Sequence, residues 1–354
     1  MDSNEILNHI LCPPGDGVFT VETAKERKEK LQQKLYGNED CKSAWLKSLG
    51  SLKDSPTVLL GVPSDTGGGI LRGANWGPLA LREYLNEDYF DVGDIRVVPH
   101  LLHDNYLNTK TIENVRHALY QKSCDLPVSP LSLAELAIES ILEVNPKAKI
   151  FSIGGDHSVS AALVPPFIKK YPNLGILHFD AHTDLLEERL GIDKCFATWA
   201  AHILPSLDHP QNMAQVGIRR SGQVKEFWEK KFGISQYWSQ DVFDLGPDEI
   251  SKKIIAQFNA KGIKDVYISF DIDAIDSEYA SATGTPETGG LRPHEASIII
   301  DSVTPHFNIV GADMVELAPF INHHGSKPTL APEPNSTFEV AGLLSDKMIA
   351  TFKN

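Results

Sequence analysis

The chain has 354 residues, 42% of them hydrophobic, which is enough to bury one large core and leaves no compositional case for extended disorder. Its formal charge of -14, from 33 Lys and Arg against 47 Asp and Glu, argues against nucleic acid or an anionic membrane surface as the main partner. A small cationic molecule suits that balance better.

Residues 1–54 differ from the rest and read as an N-terminal extension, with a charge-rich helix over Glu22 to Leu35 that packs through Leu31 and Leu35. From Thr57 onward, short apolar runs alternate with turn residues and amphipathic segments, the pattern of strands alternating with helices and hence of a mainly parallel sheet. The expected strands are Thr57 to Gly61, Ile95 to Pro99, Lys149 to Ile153, Leu174 to Asp180, Ala214 to Ile218, Ile234 to Trp238, Asp265 to Phe270 and Ile309 to Met314. The expected helices are Pro78 to Asn86, Ser132 to Val144, Ser158 to Lys170, Gln223 to Phe232, Pro247 to Lys261, Pro293 to Val303 and Thr337 to Thr351. No linker divides residues 55–354, so they read as one α/β domain.

Cys12, Cys41, Cys124 and Cys195 are too scattered to propose a disulfide framework or a cysteine zinc site, and reduced thiols in a cytoplasm are the simplest reading. The chain opens without a basic segment followed by an apolar one, and no uncharged apolar run reaches the ~18 residues of a membrane span. Neither secretion nor membrane insertion is expected.

Three apolar runs end in potential metal ligands. Leu174 to Asp184 closes with Asp180, His182 and Asp184, which the two-residue period of an extended chain would set on one side. Val266 to Asp273 closes with Asp271 and Asp273, and Ile150 to His157 ends in two glycines, Asp156 and His157. In open parallel sheets, loops converge outside the carboxyl ends of the strands, where all three clusters fall. Four Asp and two His make an oxygen-rich, thiolate-free set that suits Mn²⁺ or a similar divalent ion, and bridging carboxylates allow two ions. Asp156 and Asp276 are better explained as capping or supporting residues.

On these segments the chain resembles the ureohydrolases, the arginase and agmatinase family. The resemblance rests on Gly154-Gly155-Asp156-His157-Ser158, on Asp180-Ala181-His182-Thr183-Asp184, and on Ser269-Phe270-Asp271-Ile272-Asp273-Ala274-Ile275-Asp276 with the Gly284-Thr285-Pro286 that follows. It extends to Arg72-Gly73-Ala74-Asn75-Trp76-Gly77-Pro78 and so runs from about Ser55 to the end. What it implies is a three-layer αβα sandwich around a mainly parallel sheet, two Mn²⁺ ions bridged by a hydroxide, and a homo-oligomer, trimeric or hexameric. By position, His157, Asp180, Asp184 and Asp271 would hold one ion, and Asp180, His182, Asp271 and Asp273 the other. Asp184 would pass a proton to the leaving amine, and Glu316 would pair with the substrate guanidinium.

Two segments depart from the family pattern. The loop from Leu185 to Trp199 lacks the His-Gly pair that carries a proton shuttle, with Cys195-Phe196-Ala197 in its place and His202 the nearest imidazole downstream. Gly217-Ile218-Arg219-Arg220-Ser221-Gly222 lacks the acids that bind the α-amino group of arginine, which disfavours arginine as substrate. Phe196, Trp199 and Trp76 are consistent with an aromatic-walled pocket or with core. The leading expectation is hydrolysis of a small guanidino compound, or guanidine, to urea. A formimino substrate and a catalytically silent relative are the alternatives, and the ligands accept Ni²⁺ as well as Mn²⁺.

Overall fold

The computed structural model describes residues 1–354 apart from 20–23, 38, 68, 122–123, 325–326, 332–334 and 354. Nine strands form one sheet: β1 (Leu11–Cys12), β2 (Thr57–Val62), β3 (Phe90–Ile95), β4 (Lys149–Gly154), β5 (Gly175–Phe179), β6 (Met213–Val216), β7 (Ser235–Tyr237), β8 (Asp265–Asp271) and β9 (Asn308–Val315). Their order is β1-β3-β2-β4-β9-β8-β5-β6-β7, parallel throughout except for β1, which runs antiparallel to β3 at one edge.

Both faces of the sheet are covered, and side chains alternate between two cores. Val58, Leu60 and Val62 of β2 enter one core and Leu59 the other, while in β5 Ile176 and Leu177 divide the same way. On the first face lie α1 (Ser3–Ile10) and α2 (Pro130–Val144), with the shorter helices Ser160–Leu163 and Pro165–Lys170. The second face carries α3 (Pro247–Ala260), α4 (Pro293–Val303) and α5 (Asn335–Ala350). The three-layer αβα expectation is met. Proline in the first turn starts α2, α3 and α4, where its missing N–H costs nothing.

Several sequence expectations shift. The second expected strand, Ile95 to Pro99, is replaced by Phe90–Ile95, a segment disguised by Asp91, Gly93 and Asp94. Those acids are tolerated inside because buried Arg82 donates to both, with Nε 2.8 Å from Asp91 Oδ2 and Nη1 2.6 Å from Asp94 Oδ1. The helix expected from Ser158 to Lys170 is interrupted at Val164, because Pro165 and Pro166 have no N–H to continue it. The helix expected over Pro78 to Asn86 spans only Gly77–Leu81.

Residues 1–54 are not detached from this body. Leu7, Ile10, Trp45, Leu49 and Leu52 enter the first core, and Trp45 Nε1 donates to the Val92 carbonyl of β3 at 2.9 Å. The charge-rich helix runs Lys25–Tyr36, with Glu22 outside the described residues; Leu31 is buried, whereas Leu35 is 38% exposed. All four cysteines are free thiols, and among the described residues no helix is long and apolar enough to cross a membrane.

Candidate metal and guanidino site

Four neighbouring strands in the middle of the sheet, β4, β9, β8 and β5, deliver the site at their carboxyl ends. His157 follows β4, Asp180 follows β5, Asp271 ends β8, Asp273 sits in the turn after it, and Glu316 follows β9. The approach to His157 is tight: a Cβ on Gly155 would stand 1.8 Å from the Ser64 carbonyl, so only glycine lets these two loops cross. Asp180, His182 and Asp184 do not lie on a strand as the two-residue period implied, because β5 ends at Phe179. They converge instead through a loop in which Asp184 takes a left-handed backbone (φ +51°), and Glu316 does the same (φ +62°).

The structure brings the sequence candidates together around two imidazoles. His157 Nδ1 lies 3.1 Å from Asp180 Oδ2, 3.2 Å from Asp271 Oδ2 and 3.3 Å from Asp184 Oδ2. His182 Nδ1 lies 3.1 Å from Asp273 Oδ2 and 3.4 Å from Asp180 Oδ1. Asp180 is common to both groups, and every ligand candidate except His182 is buried. Glu316 lies on the same cavity wall as His157 and Asp271, where its Oε1 accepts from the His157 backbone N–H at 2.9 Å.

His157 carries the test of whether these residues suit a cation. Its Nε2 meets Ser269 Oγ at 3.0 Å, and Ser269 gives its own proton to Asp313 Oδ1 at 2.8 Å, so Nε2–H is the donor. Nδ1 is then left as a lone pair facing three carboxylate oxygens, buried and without an aligned hydrogen bond. Such an array needs a positive charge at its centre. In the bare chain, protons fill that need. Burial opposes a charge on His157, but the close carboxylates of Asp180, Asp271 and Asp184 drive its pKa well above the ordinary value. Burial and the charge of Asp180 push Asp184 up; burial and the charge of Asp273 push Asp271 up. Burial also works to raise Asp180, but the three imidazoles of His157, His178 and His182 beside it hold it well below the usual range. Oxygen and imidazole donors in two groups that share Asp180 fit hard to borderline divalent ions.

Three supporting groups were not anticipated. His178 Nε2 is 2.9 Å from Asp180 Oδ2, at the end of a relay across β7, β6 and β5 whose direction is fixed by one donor-only group. Trp238 Nε1 donates to Gln236 Oε1 (2.9 Å), Gln236 Nε2 to Gln215 Oε1 (2.7 Å), and Gln215 Nε2 to His178 Nδ1 (3.0 Å). His178 therefore turns its N–H toward Asp180 and supports it rather than offering a lone pair to a cation. Burial keeps its pKa below normal despite that carboxylate. Trp199, fully buried, donates from Nε1 to Asp184 Oδ2 at 2.8 Å, and Thr285 Oγ1 donates to Asp273 Oδ2 at 2.8 Å.

At these residues opens a cavity of about 340 Å³, lined also by Phe196, Ala197, Gly69, Thr285, Arg189 and Arg220. Of the three aromatics considered from sequence, Phe196 lines the cavity, Trp199 stands behind Asp184, and Trp76 packs with Leu31, Leu79 and Leu330. Trp228 also lines it and had no signal in the sequence. Cys195 is buried, in a turn with Thr198, and His202 Nε2 is engaged by the Glu187 carbonyl at 3.1 Å. Asp156 supports the neighbouring loop through Ser64, Thr66 and Ser158, and Asp276 holds the backbone N–H groups of Glu278, Gly289 and Gly290.

The sequence profile of the arginase family matches residues 55–334, the segment that carries every residue named at this site. The chain belongs to the arginase family. It is a hydrolase of C–N bonds in linear amidines. It is 32% identical to an agmatinase of Bacillus anthracis over 297 residues, covering 81% of this chain and 92% of that one. It is also 30% identical to the human mitochondrial guanidino acid hydrolase over 289 residues, 80% of this chain and 76% of the other. Among solved structures, proclavaminate amidino hydrolase from Streptomyces clavuligerus shares the fold at a TM-score of 0.65, with 23% identity over 84% of this chain and 91% of that chain.

Proposed function

We propose that this arginase-family hydrolase cleaves a small guanidino compound at a two-cation centre and releases urea. The observation that carries the reading is the His157 Nδ1 lone pair set among Asp180, Asp184 and Asp271 beneath a cavity that also holds Glu316. In this reading His157, Asp180, Asp184 and Asp271 hold one ion and Asp180, His182, Asp271 and Asp273 the other, with Asp180 and Asp271 shared. Such a pair supplies a water acidified into a nucleophile near neutral pH.

The chain's own groups do the rest. Burial and then the charge of Asp271 raise the Glu316 pKa, so this carboxylate ionises most readily when a cation arrives; a guanidinium brings that charge and two parallel N–H donors. Its fixed position then orients the planar carbon. Asp184, with Oδ2 gripped by Trp199, is the group that takes a proton from the attacking side and returns it to the leaving amine. Phe196 and Ala197 fill the place where relatives carry His-Gly, so no imidazole of that loop lines the cavity.

The reading takes the ions to be Mn²⁺, with Ni²⁺ accepted by the same donors, the catalytic unit to be residues 55–354 with 1–54 as an extension, the compartment to be the cytoplasm, and the assembly to be a trimer or hexamer. Protein loaded separately with Mn²⁺ and Ni²⁺ and offered arginine, agmatine, guanidino acids and guanidine should release urea from at least one. Formamide from a formimino compound in place of urea would replace the reading. Bound metal without turnover of either class would make the chain a silent relative.

A further inference from the structure

The cavity that receives the guanidino group in the reading above, on which this inference rests, is lined by charges of both signs. Asp184, Asp271 and Glu316 are negative, and Arg189 and Arg220 are positive. The two arginines differ in what they have left to give. Arg220 forms an ion pair with Glu287, whose other oxygen lies 3.8 Å from His182 Nε2, so its charge is answered within the chain. Arg189 has no ion pair among the described residues; the nearby Glu187 is taken by Lys231 at 3.0 Å. Its guanidinium lies over the Phe196 ring, 5.0 Å from Cζ to centroid. Stacking occupies the face of a guanidinium and leaves its N–H edges free for an anion.

The backbone holds Arg189 in place. Arg189 N–H donates to the Ile192 carbonyl at 2.8 Å and Ile192 N–H to the Arg189 carbonyl at 3.0 Å, closing a two-residue turn. Leu190 (φ +53°) and Gly191 (φ +79°) are both left-handed, as a tight hairpin turn demands, and Leu190 is 97% exposed at its tip. A leucine in that conformation gains nothing from burial, so the turn is maintained at a cost while it carries a stacked, unpaired arginine into the cavity lining.

We propose that Arg189 receives a carboxylate at the far end of the substrate, so that this enzyme takes ω-guanidino acids in preference to agmatine or free guanidine. A guanidino acid carries both complements to this lining, a guanidinium for Glu316 and a carboxylate for the N–H edge of Arg189. Agmatine presents an ammonium to an unpaired guanidinium, and guanidine has no tail to engage it. Arginine offers a carboxylate but also an ammonium, for which Ser221 and Gly222 provide no acid.

The test measures kcat and KM for guanidinoacetate, guanidinopropionate, guanidinobutyrate, arginine, agmatine and guanidine, with full-length protein loaded separately with Mn²⁺ and Ni²⁺. Wild type should prefer one of the acids to agmatine by at least about tenfold in kcat/KM. Arg189→Gln should lose about 10- to 100-fold on that acid, mainly through KM, while agmatine gains by relief of the like charge. Arg189→Lys should recover part of the loss, and Arg189→Glu should improve agmatine. Equal losses on acids and agmatine would make Arg189 merely structural and overturn the proposal, as would a wild type that prefers arginine, agmatine or guanidine. Urea from arginine, agmatine or guanidine alone ends this inference and leaves the guanidino reading standing; urea from none of the compounds removes both.

Discussion

Trp199→Phe isolates one interaction at the site. The ring is fully buried and keeps most of its volume in the substitution, while the N–H that Asp184 Oδ2 accepts at 2.8 Å disappears. A hydrogen bond to a charged group in a dry site is worth about 1.5–3 kcal/mol, and the smaller ring adds a packing loss that falls on folding stability rather than on the carboxylate. If Asp184 holds a cation, the weakened grip should appear as about 10- to 100-fold weaker Mn²⁺ binding at one of two sites, since each ~1.4 kcal/mol is tenfold. Removing a donor also favours the protonated acid, which already stands high through burial and the charge of Asp180, so the defect should deepen as pH falls. Competition with a chromophoric chelator at two pH values measures both effects, with thermal melting to show that the variant folds. Unchanged affinity at both sites would refute the assignment of Asp184. A loss identical at both pH values would refute the hydrogen-bond argument and leave a packing effect.

Three further outcomes follow from the same geometry. In the metal-free chain His157, Asp184 and Asp271 all have pKa values above their usual range, so cations should expel protons on binding. Calorimetry in two buffers of different ionisation enthalpy should show net proton release and affinity that weakens as pH drops; no buffer dependence would contradict it. Gly284→Ala would put a Cβ 3.1 Å from Glu316 Oε2 and displace that carboxylate by a few tenths of an ångström. It should lower kcat/KM by about tenfold with Mn²⁺ affinity intact, a split that titration and urea assays resolve. Trp238→Phe removes the donor that sets the direction of the relay to His178, and should weaken Mn²⁺ binding although the residue stands two strands from Asp180.

What could be read from the sequence was whatever the chain writes locally. The buried parallel strands are apolar runs, and their ligands lie within a few residues of the strand ends, so His157, Asp180, His182, Asp184, Asp271 and Asp273 stood out as three clusters. The strand β3 escaped notice because its Asp91 and Asp94 are neutralised by Arg82, a partner outside the strand. His178 was in plain view inside β5, but its role depends on β6 and β7 lying next to it in register, and strand order is not written locally. Trp199 and Arg189 reach the site through the folding of one long loop. The same holds for Glu316, which only the family resemblance distinguished from an exposed loop acid, and which is in fact buried against the His157 backbone.

The account stands on two cations sharing Asp180, and anomalous diffraction from crystals grown with Mn²⁺ tests that most directly. It predicts two anomalous peaks ~3.5 to 4 Å apart, one beside His157 and one beside His182, with Asp180 and Asp271 between them. A single peak, or two peaks of which one is held by His178 through a lone pair at Nε2, would contradict it.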